Sequence, residues 1–301
     1  MENGIVIKTT GAQCLVALDD GSTVEARVRG KIRLDGIKST NPVAVGDRVE
    51  IDGESITAIL PRKNYIIRKS MNWSKQSQVI AANVDLLALV VTLCHPQTPN
   101  EFIDRMLTVA EAYNVPAMLV FNKADLFDDG LDELYAAYKN LYEQIGYPCL
   151  RVSTMNNEGL DELKERIKGK ICLFSGNSGV GKTSITNALC PGLDLRTAEI
   201  SSYHDKGMHT TTFSQMLPFA GGYIIDTPGI KGFGLIDFDR HEVGHFFPEI
   251  FKTSKQCRFA DCTHTNEPGC AVKTAVENHK ISQSRYTSYL SILADTGEKY
   301  R

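Results

Sequence analysis

Residues 176–183 read GNSGVGKT, directly after the apolar run of residues 171–175 and before a helical pattern over residues 184–189. The spacing matches the G-x-x-x-x-G-K-[ST] pattern of a phosphate-binding loop, or P-loop. Its glycines let backbone N–H groups surround an oxyanion, and the helix amino terminus adds a favourable dipole. We expect Lys182 to reach the β- and γ-phosphates and the Thr183 hydroxyl to bind Mg²⁺. The predicted nucleotide contacts here are Gly176, Asn177, Ser178, Gly179, Val180, Gly181, Lys182, Thr183 and Ser184.

A second motif, FNKAD at residues 121–125, ends another apolar run. The Asp125 carboxylate can accept two hydrogen bonds from guanine, whereas adenine lacks that edge and would leave the acid unpaired. Asn122 can hold the loop, Lys123 can lie along the ring, and Ala124 completes the motif. Ser153 and Thr154, after an apolar run ending at residue 152, are predicted to form the second base-contacting loop.

The segments that sense the γ-phosphate are predicted further along the chain. A strand pattern at residues 221–225 runs into Asp226-Thr227-Pro228-Gly229, where Asp226 would hold the Mg²⁺ shell and the Gly229 N–H would contact the γ-phosphate. Upstream stands the stretch HTTT, residues 209–212. Thr210 is predicted to complete the metal site, with Thr211 as the alternative.

The order of these motifs is unusual, because the base reader precedes the P-loop. This order predicts a circular permutation, which folds tolerate when their original termini lie close together. As a consequence, the two γ-phosphate-sensing segments, residues 209–212 and 226–229, which we call the switch segments, follow the P-loop in the chain. The second of them leads directly into the C-terminal residues. Loss of the γ-phosphate is therefore expected to move the C-terminal part directly.

Ile230 follows Gly229, where many GTPases place a water-orienting glutamine. An aliphatic side chain cannot align water, so another group must do so or intrinsic turnover must be slow.

The rest of the chain divides by pattern into three parts. Residues 1–60 alternate apolar and polar positions between turn signals, which favours a small barrel, first an OB-fold and second an SH3-like barrel. Strands then alternate with helices, as in an α/β fold with a largely parallel sheet. One of these helices carries Ile103, Met106, Leu107 and Ala110 and is expected to be capped by Asn100. The predicted domains are 1–68, 69–235 and 236–301, the last mainly helical.

Composition limits the function classes. The chain has 301 residues with 42% hydrophobic and 23% charged side chains, which is ordinary for a globular protein. The amino terminus lacks an apolar signal core and residues 86–93 are too few to span a bilayer, so we expect a cytoplasmic protein without a membrane partner. A net charge of −3 argues against a uniformly basic nucleic-acid binder, although residues 55–84 hold five Lys or Arg and no acid. That segment is either a solvated linker or part of an RNA-binding surface. Trp73, within it, is either part of such a surface or a core or interdomain anchor.

A cluster of metal-ligand residues lies near the carboxyl end. The spacing Cys-x4-Cys-x-His-x5-Cys supplies three thiolates and one imidazole, the ligand set of a closed, tetrahedral structural Zn²⁺ site. The predicted ligands are Cys257, Cys262, His264 and Cys270. The other cysteines, at positions 14, 94, 149, 172 and 190, lie in mostly apolar surroundings and are predicted to be packing residues.

The combination of a barrel, the motifs GNSGVGKT, NKAD, HTTT and DTPG in permuted order, and the Cys/His cluster resembles the ribosome small-subunit-dependent GTPase A family of bacterial assembly factors. The resemblance covers nearly the whole chain. It implies an amino-terminal OB domain, binding to 16S rRNA in the small (30S) ribosomal subunit near its decoding region, and GTP hydrolysis to GDP stimulated by that subunit. It also implies a role in late subunit maturation and in release of other assembly factors. His209 matches the family's candidate catalytic histidine, whereas Met208 stands where a polar or basic residue is expected.

The residues leave two other functions open. One is a GTP-gated binding module in which hydrolysis is incidental, and the other is a tRNA- or mRNA-binding GTPase. We expect a monomer that takes one structural Zn²⁺ and binds Mg²⁺ together with GTP.

Overall fold

A computed structural model of the chain describes residues 2–10, 13–28, 42–69, 77–192, 215–226 and 239–297. The strands in these ranges are β1 (Glu2–Thr10), β2 (Gln13–Leu18), β3 (Thr23–Val28), β4 (Arg48–Asp52), β5 (Ser55–Ile59), β6 (Tyr65–Lys69), β7 (Ser77–Ala82), β8 (Leu86–Val91), β9 (Ala117–Phe121), β10 (Cys149–Arg151), β11 (Ile171–Ser175), β12 (Gln215–Phe219) and β13 (Gly222–Asp226). The helices are α1 (Asn100–Ala112), α2 (Asp129–Ile145), α3 (Leu160–Ile167), α4 (Lys182–Leu189), α5 (Pro248–Ser254), α6 (Ala271–Glu277) and α7 (Gln283–Gly297).

The first five strands form a closed barrel. They pair in the order β1-β2-β3-β5-β4, and β1 also pairs with β4. Alternating residues such as Val6, Val16, Val49 and Ile51 are fully buried in its interior, because successive side chains of a strand point to opposite faces. The OB-like barrel predicted from the period-two pattern is confirmed.

The α/β part is built around the strand that precedes the P-loop. Strands β10, β9, β8, β11 and β13 run parallel in that order, and β12 lies antiparallel beside β13. Strand β11 therefore lies centrally, with earlier strands of the chain on one side and later strands on the other. This arrangement confirms the circular permutation, since a conventional chain would begin at the central strand.

Helices cover both faces of this sheet, as buried parallel strands require. Helices α1 and α2 pack on one face, where Leu89, Leu107 and Tyr142 belong to one apolar cluster. Helices α3 and α4 pack on the other face, where Leu163 and Ile185 meet strand residues. The near-continuous apolar runs of β8 and β9 follow from burial on both faces.

The barrel and the α/β sheet form one continuous sheet. Strand β1 pairs antiparallel with β12 at Lys8 and Gln215, and Ile5 of β1 lies in the apolar cluster of the α/β sheet. A second connection joins Asn83 to the barrel, because its side-chain amide donates to the Gly46 carbonyl at 2.9 Å. The barrel and the α/β part are therefore joined by apolar packing as well as by strand pairing.

The expected cap of α1 was wrong. The N-cap position is Pro99, which makes no side-chain cap hydrogen bond. Asn100 instead accepts a hydrogen bond from the Tyr138 hydroxyl of α2. The Asn100 side chain therefore bonds to a residue of another helix, although the local pattern predicts that it caps its own helix.

Two residues of the basic segment 55–84 are already paired. The Arg62 side chain is 6% exposed and binds Asp47 through two hydrogen bonds of 2.6 and 2.7 Å. Lys63 pairs with Asp85. Arg62 is thus a structural residue of the barrel, and Lys75 and Trp73 lie outside the described residues.

Residues 239–297 form the C-terminal module, which has its own apolar cluster around Phe247, Ile250, Val272 and Tyr289. Leu293 and Tyr286 of α7 also join this cluster. Among the described helices, none has the length and apolarity that crossing a bilayer requires.

Candidate functional site

The P-loop connects β11 to α4, as the sequence predicts. Gly176 and Gly181 have φ angles of 149° and 93°, which residues with a Cβ rarely adopt. A Cβ at Gly176 would lie 2.2 Å from the Val90 carbonyl oxygen, and one at Gly181 would lie 2.3 Å from the Asn122 amide nitrogen. The glycines therefore allow the loop to approach both β8 and the NKAD residues.

Lys182 begins α4 but its side chain turns back into the loop. Its ammonium donates to the carbonyl oxygens of Gly176 at 2.8 Å and Asn177 at 2.9 Å, and the residue is 7% exposed. Thr183 and Ser184 follow in half-buried positions of the same helical turn. The geometry places a buried cation within the P-loop, against two of its carbonyl oxygens, and a cation there is suited to a phosphate chain.

Asn122 ties the NKAD residues to the P-loop. Its side-chain amide donates to the Val180 carbonyl at 2.8 Å, and its backbone N–H donates to Val91 at 2.9 Å. The residue is 2% exposed, and its Oδ1 has no hydrogen-bond partner among the described residues. A buried acceptor without a partner is unfavourable, and this one lies where the NKAD residues meet the P-loop.

Asp125 is held from the second base loop. The fully buried Ser153 donates its hydroxyl hydrogen to the Asp125 carboxylate, and the Ser153 oxygen accepts from the Met155 N–H at 3.1 Å. Ala124 is buried and its N–H donates to Val152 at 3.1 Å. The structure thus brings the two predicted base loops together, with Ser153 orienting the acid.

The switch residues are only partly described. Strand β13 ends at Asp226, whose backbone pairs with Phe174 of β11 and Gln215 of β12. Its side chain is outside the described residues, as are His209, Thr210, Thr211, Gly229 and Ile230. Asp226 therefore ends a strand beside the P-loop strand, and the other switch assignments stay predictions.

The four predicted metal ligands converge. Their ligand atoms lie within 4.8 Å of one another, with Cys257 Sγ 3.6 Å and Cys270 Sγ 3.5 Å from His264 Nδ1, and 4.0 Å between those two sulfurs. A tetrahedral zinc ion, bound at about 2.3 Å to sulfur and about 2.0 Å to nitrogen, separates its ligands by roughly 3.5–3.8 Å. The donor set and its spacing are therefore consistent with one structural zinc ion.

The surroundings of the cluster hold its ligands in place. Burial lowers the pKa of His264, which keeps the imidazole neutral and able to bind a metal. The Tyr286 and Tyr289 hydroxyls donate to the backbone carbonyls of His264 and Thr263 at 2.6 and 2.7 Å. Burial alone would raise the pKa of Glu267, but hydrogen bonds donated by the Thr263 side chain and by nearby backbone groups lower it to about 2. These contacts orient the loop between the second and fourth ligands.

Sequence reasoning missed two groups of residues. One is Glu267, whose only signal in the sequence was its position among the metal ligands, between His264 and Cys270. The other is the pair Asp104 and Arg285, buried between α1 and α7. Asp104 stands between Ile103 and Met106 on the apolar side of its helix, and an acid in such a position is a signal for a buried partner.

The fold and the site together define the protein class. A P-loop after a central strand, an NKAD loop bonded to it, and strands permuted around it are the features of a circularly permuted P-loop GTPase. An OB-like barrel precedes this GTPase and a module with a Cys/His cluster follows it.

Comparison with known families agrees. The family described as RsgA GTPase matches residues 59–236, and the RsgA N-terminal domain matches residues 3–58. The chain belongs to the RsgA GTPase family, and it is a GTP-hydrolysing enzyme.

Individual relatives cover nearly the whole chain. A protein of Bacteroides fragilis named Small ribosomal subunit biogenesis GTPase RsgA is 58% identical over 307 residues, covering 99% of this chain and 98% of the relative. A protein of the same name from Phocaeicola vulgatus is 55% identical over 305 residues, with the same coverage of 99% and 98%.

Two solved structures share the fold. The crystal structure of YjeQ from Thermotoga maritima has a TM-score of 0.80 and 37% identity, covering 99% of both chains. The structure of YloQ, described as a circularly permuted GTPase, has a TM-score of 0.75 and 29% identity, covering 97% of this chain and 94% of that one.

Proposed function

We propose that this chain is a GTPase of small ribosomal subunit biogenesis, which binds the 30S subunit, acts in its late maturation and hydrolyses GTP with stimulation by it. The observation that carries the proposal is the full-length likeness to proteins named for this process, at 58% identity over 99% of the chain. Identity at that level, spanning barrel, GTPase and C-terminal module, supports a shared task.

In this proposal the nucleotide binds to the NKAD loop and the P-loop, which are connected by a hydrogen bond. Asp125 reads the guanine edge, with Lys123, Ala124 and Thr154 beside the base. The Asn122–Val180 hydrogen bond supports this assignment because it fixes the position of the NKAD residues relative to the P-loop. The phosphates lie against residues 176–184, with Lys182 as the buried cation. Selectivity for guanine over adenine follows from the unpaired acid that adenine would leave.

The metal ions have separate roles. Thr183 and Thr210 (or Thr211) would hold Mg²⁺, with Asp226 in its shell, and the ion would supply positive charge at the β- and γ-phosphates. The Cys/His cluster holds Zn²⁺ in a structural role, since all four of its ligands come from the protein and none of the coordination positions is left for substrate.

Water is positioned by His209 in this proposal, because Ile230 cannot do so and phosphoryl transfer depends mainly on positioning and charge. The Gly229 N–H contacts the γ-phosphate from the other switch. His209 need not remove the proton completely for this role.

The 16S rRNA contact is assigned to the barrel. Residues 27–38, which begin at the end of β3, carry five Lys or Arg and one acid. Such a local cluster supplies phosphate contacts even though the net charge is −3, and OB folds use a sheet face and loops for this purpose. We further propose that the protein is cytoplasmic and monomeric, with domain boundaries near residues 68 and 235.

The test is GTP turnover by the purified chain alone, with 30S subunits, and with 50S subunits or tRNA as controls. We expect an increase of tenfold or more with 30S subunits only. Equal turnover in all four samples would contradict stimulation by the small subunit, and an increase with tRNA would favour the tRNA-binding alternative.

A further inference from the structure

The loop of residues 92–98, Thr-Leu-Cys-His-Pro-Gln-Thr, connects β8 to α1 and belongs to none of the nucleotide motifs. It is closed by hydrogen bonds between its two ends. The Thr98 N–H donates to the Thr92 carbonyl at 2.8 Å, and the Thr92 N–H donates to the Thr98 hydroxyl oxygen at 3.0 Å. The Thr92 hydroxyl donates to the carbonyl of Pro96. Both threonines are buried, so the loop has one defined shape rather than an open surface conformation.

The closed loop contacts both halves of the nucleotide site. The carbonyl of His95 accepts a hydrogen bond from the Lys123 ammonium of the NKAD residues. On its other side the ring of Pro96 lies beside the P-loop, close enough that a Cβ built on Gly179 would be in van der Waals contact with Pro96 Cδ, at 3.4 Å. A segment outside the motifs therefore contacts the base-side lysine and the phosphate loop at once.

The contact with Lys123 has a physical consequence for nucleotide binding. Lysine has a flexible four-carbon stem, and fixing it in one conformation loses rotamer entropy. An acceptor that holds the ammonium before the nucleotide arrives reduces that loss on binding. The ammonium has three donors, so one bond to His95 leaves two for a ligand.

We propose that loop 92–98 is a positioning element of the guanine-nucleotide site, which holds Lys123 through the His95 carbonyl and supports the P-loop at Gly179. Its closure by Thr92 and Thr98 slows nucleotide dissociation. The inference rests on the proposed assignment of residues 122–125 and 176–184 to the nucleotide.

The experiment measures the dissociation rate and affinity of a fluorescent GDP analogue with the full-length protein. Thr92→Val keeps the side-chain volume but removes the hydroxyl that closes the loop. We expect it to weaken GDP binding about three- to tenfold, the range for loss of one hydrogen bond. Thr92→Ser retains the hydroxyl and is expected to stay within about twofold of the original protein. Thr108→Val is the matched control, because Thr108 is equally buried and also donates to a backbone carbonyl, that of Asp104, at 2.7 Å.

A double-mutant cycle with Lys123→Ala separates positioning from general structural damage. If Thr92 acts partly through Lys123, the Thr92→Val effect on GDP affinity is smaller in the Lys123→Ala background than in the original protein, because the effects of interacting residues are not additive. Independent, multiplying effects would overturn the proposal, as would an unchanged GDP dissociation rate in Thr92→Val. If Thr92→Val does not fold, Thr98→Val opens the loop from its other end and is read against the same two outcomes.

A further arm distinguishes failure of this inference from failure of the site assignment. Asp125→Asn changes the residue proposed to bind the guanine base and leaves loop 92–98 unaltered. If it alters guanine selectivity while the Thr92 and Lys123 effects multiply, only the loop proposal fails. If it leaves selectivity unchanged, the assignment of the base site fails and the loop proposal falls with it.

Discussion

The guanidinium of Arg285, in α7, lies 2.8 Å from the carboxylate of Asp104, in α1, although the two residues are 181 positions apart. Both side chains are almost completely buried, at 1% and 0% exposure. Arg285 also binds Glu249 at 2.7 Å and lies over the ring of Phe247, while Asp104 accepts from the Tyr142 hydroxyl at 2.8 Å. Burial alone would lower the pKa of Arg285, but the two carboxylates raise it, so the guanidinium stays charged. This ion pair fixes the C-terminal module against the α1–α2 face of the GTPase.

Arg285→Met is expected to lower the free energy of unfolding by about 3–5 kcal/mol, because it leaves the buried Asp104 carboxylate without its counter-charge. Urea unfolding followed by circular dichroism measures the change. Arg105→Met is the control, since Arg105 forms partly exposed ion pairs with Glu101 and Asp295, and exposed pairs contribute at most about 1 kcal/mol. Equal losses in the two variants would contradict the role assigned to Arg285.

Lys182→Ala is expected to nearly abolish GTP and GDP binding, because it removes the buried cation of the phosphate site and its bonds to Gly176 and Asn177. Equilibrium binding of a fluorescent nucleotide measures this loss. Lys170→Ala is a matched control, because Lys170 also donates to a backbone carbonyl, that of Arg166, at 2.7 Å, but is exposed. Near-normal affinity in Lys182→Ala would disprove the P-loop assignment.

Asp125→Asn is expected to shift preference from guanine toward xanthine nucleotides. The asparagine amide donates to the 2-oxo group of xanthine, where the acid had accepted from the 2-amino group of guanine. A competition assay with GDP and XDP measures the ratio of affinities, and Asp129→Asn, an exposed change in the first turn of α2, is the control. An unchanged ratio in Asp125→Asn is incompatible with base reading by this residue.

Metal analysis of the purified protein is expected to find about one zinc per chain. Cys262→Ala should lose the metal and loosen the C-terminal module while the GTPase still folds, because closed zinc sites contribute directly to folding. Metal content together with limited proteolysis of the module checks both effects. Cys14→Ala, in the barrel, should keep its zinc. An ordered C-terminal module in metal-free protein would show that the site is not structural.

His209→Ala is expected to keep GTP binding and 30S association but to lose the subunit-stimulated rate by on the order of tenfold or more. Single-turnover hydrolysis on saturating 30S subunits isolates the chemical step. His241→Ala, an exposed change in the C-terminal module, is the control. A rate within about twofold of the original protein would assign the positioning of water to the ribosome itself.

The local patterns were good guides to local structure. Apolar runs at residues 117–121 and 171–175 became strands because burial on both faces requires apolar side chains throughout. The four metal ligands were found because they lie within fourteen residues and their types suit one ion. The failure at Asn100 has the same origin, because a capping pattern describes only the residues beside it and the competing partner, Tyr138, comes from another helix.

The sequence by itself determined the class of protein. Each of the P-loop, NKAD, DTPG and Cys/His motifs lies within a short stretch of the chain, and the order of the nucleotide motifs along the chain shows the circular permutation. Tertiary structure alone decided which distant surfaces meet. The pairing of β1 with β12, the contact of His95 with Lys123 and the ion pair of Asp104 with Arg285 depend on how separate elements pack. A strand edge, a loop carbonyl or a buried acid has the same local pattern whatever its partner, because the partner is chosen by the packing of the whole core.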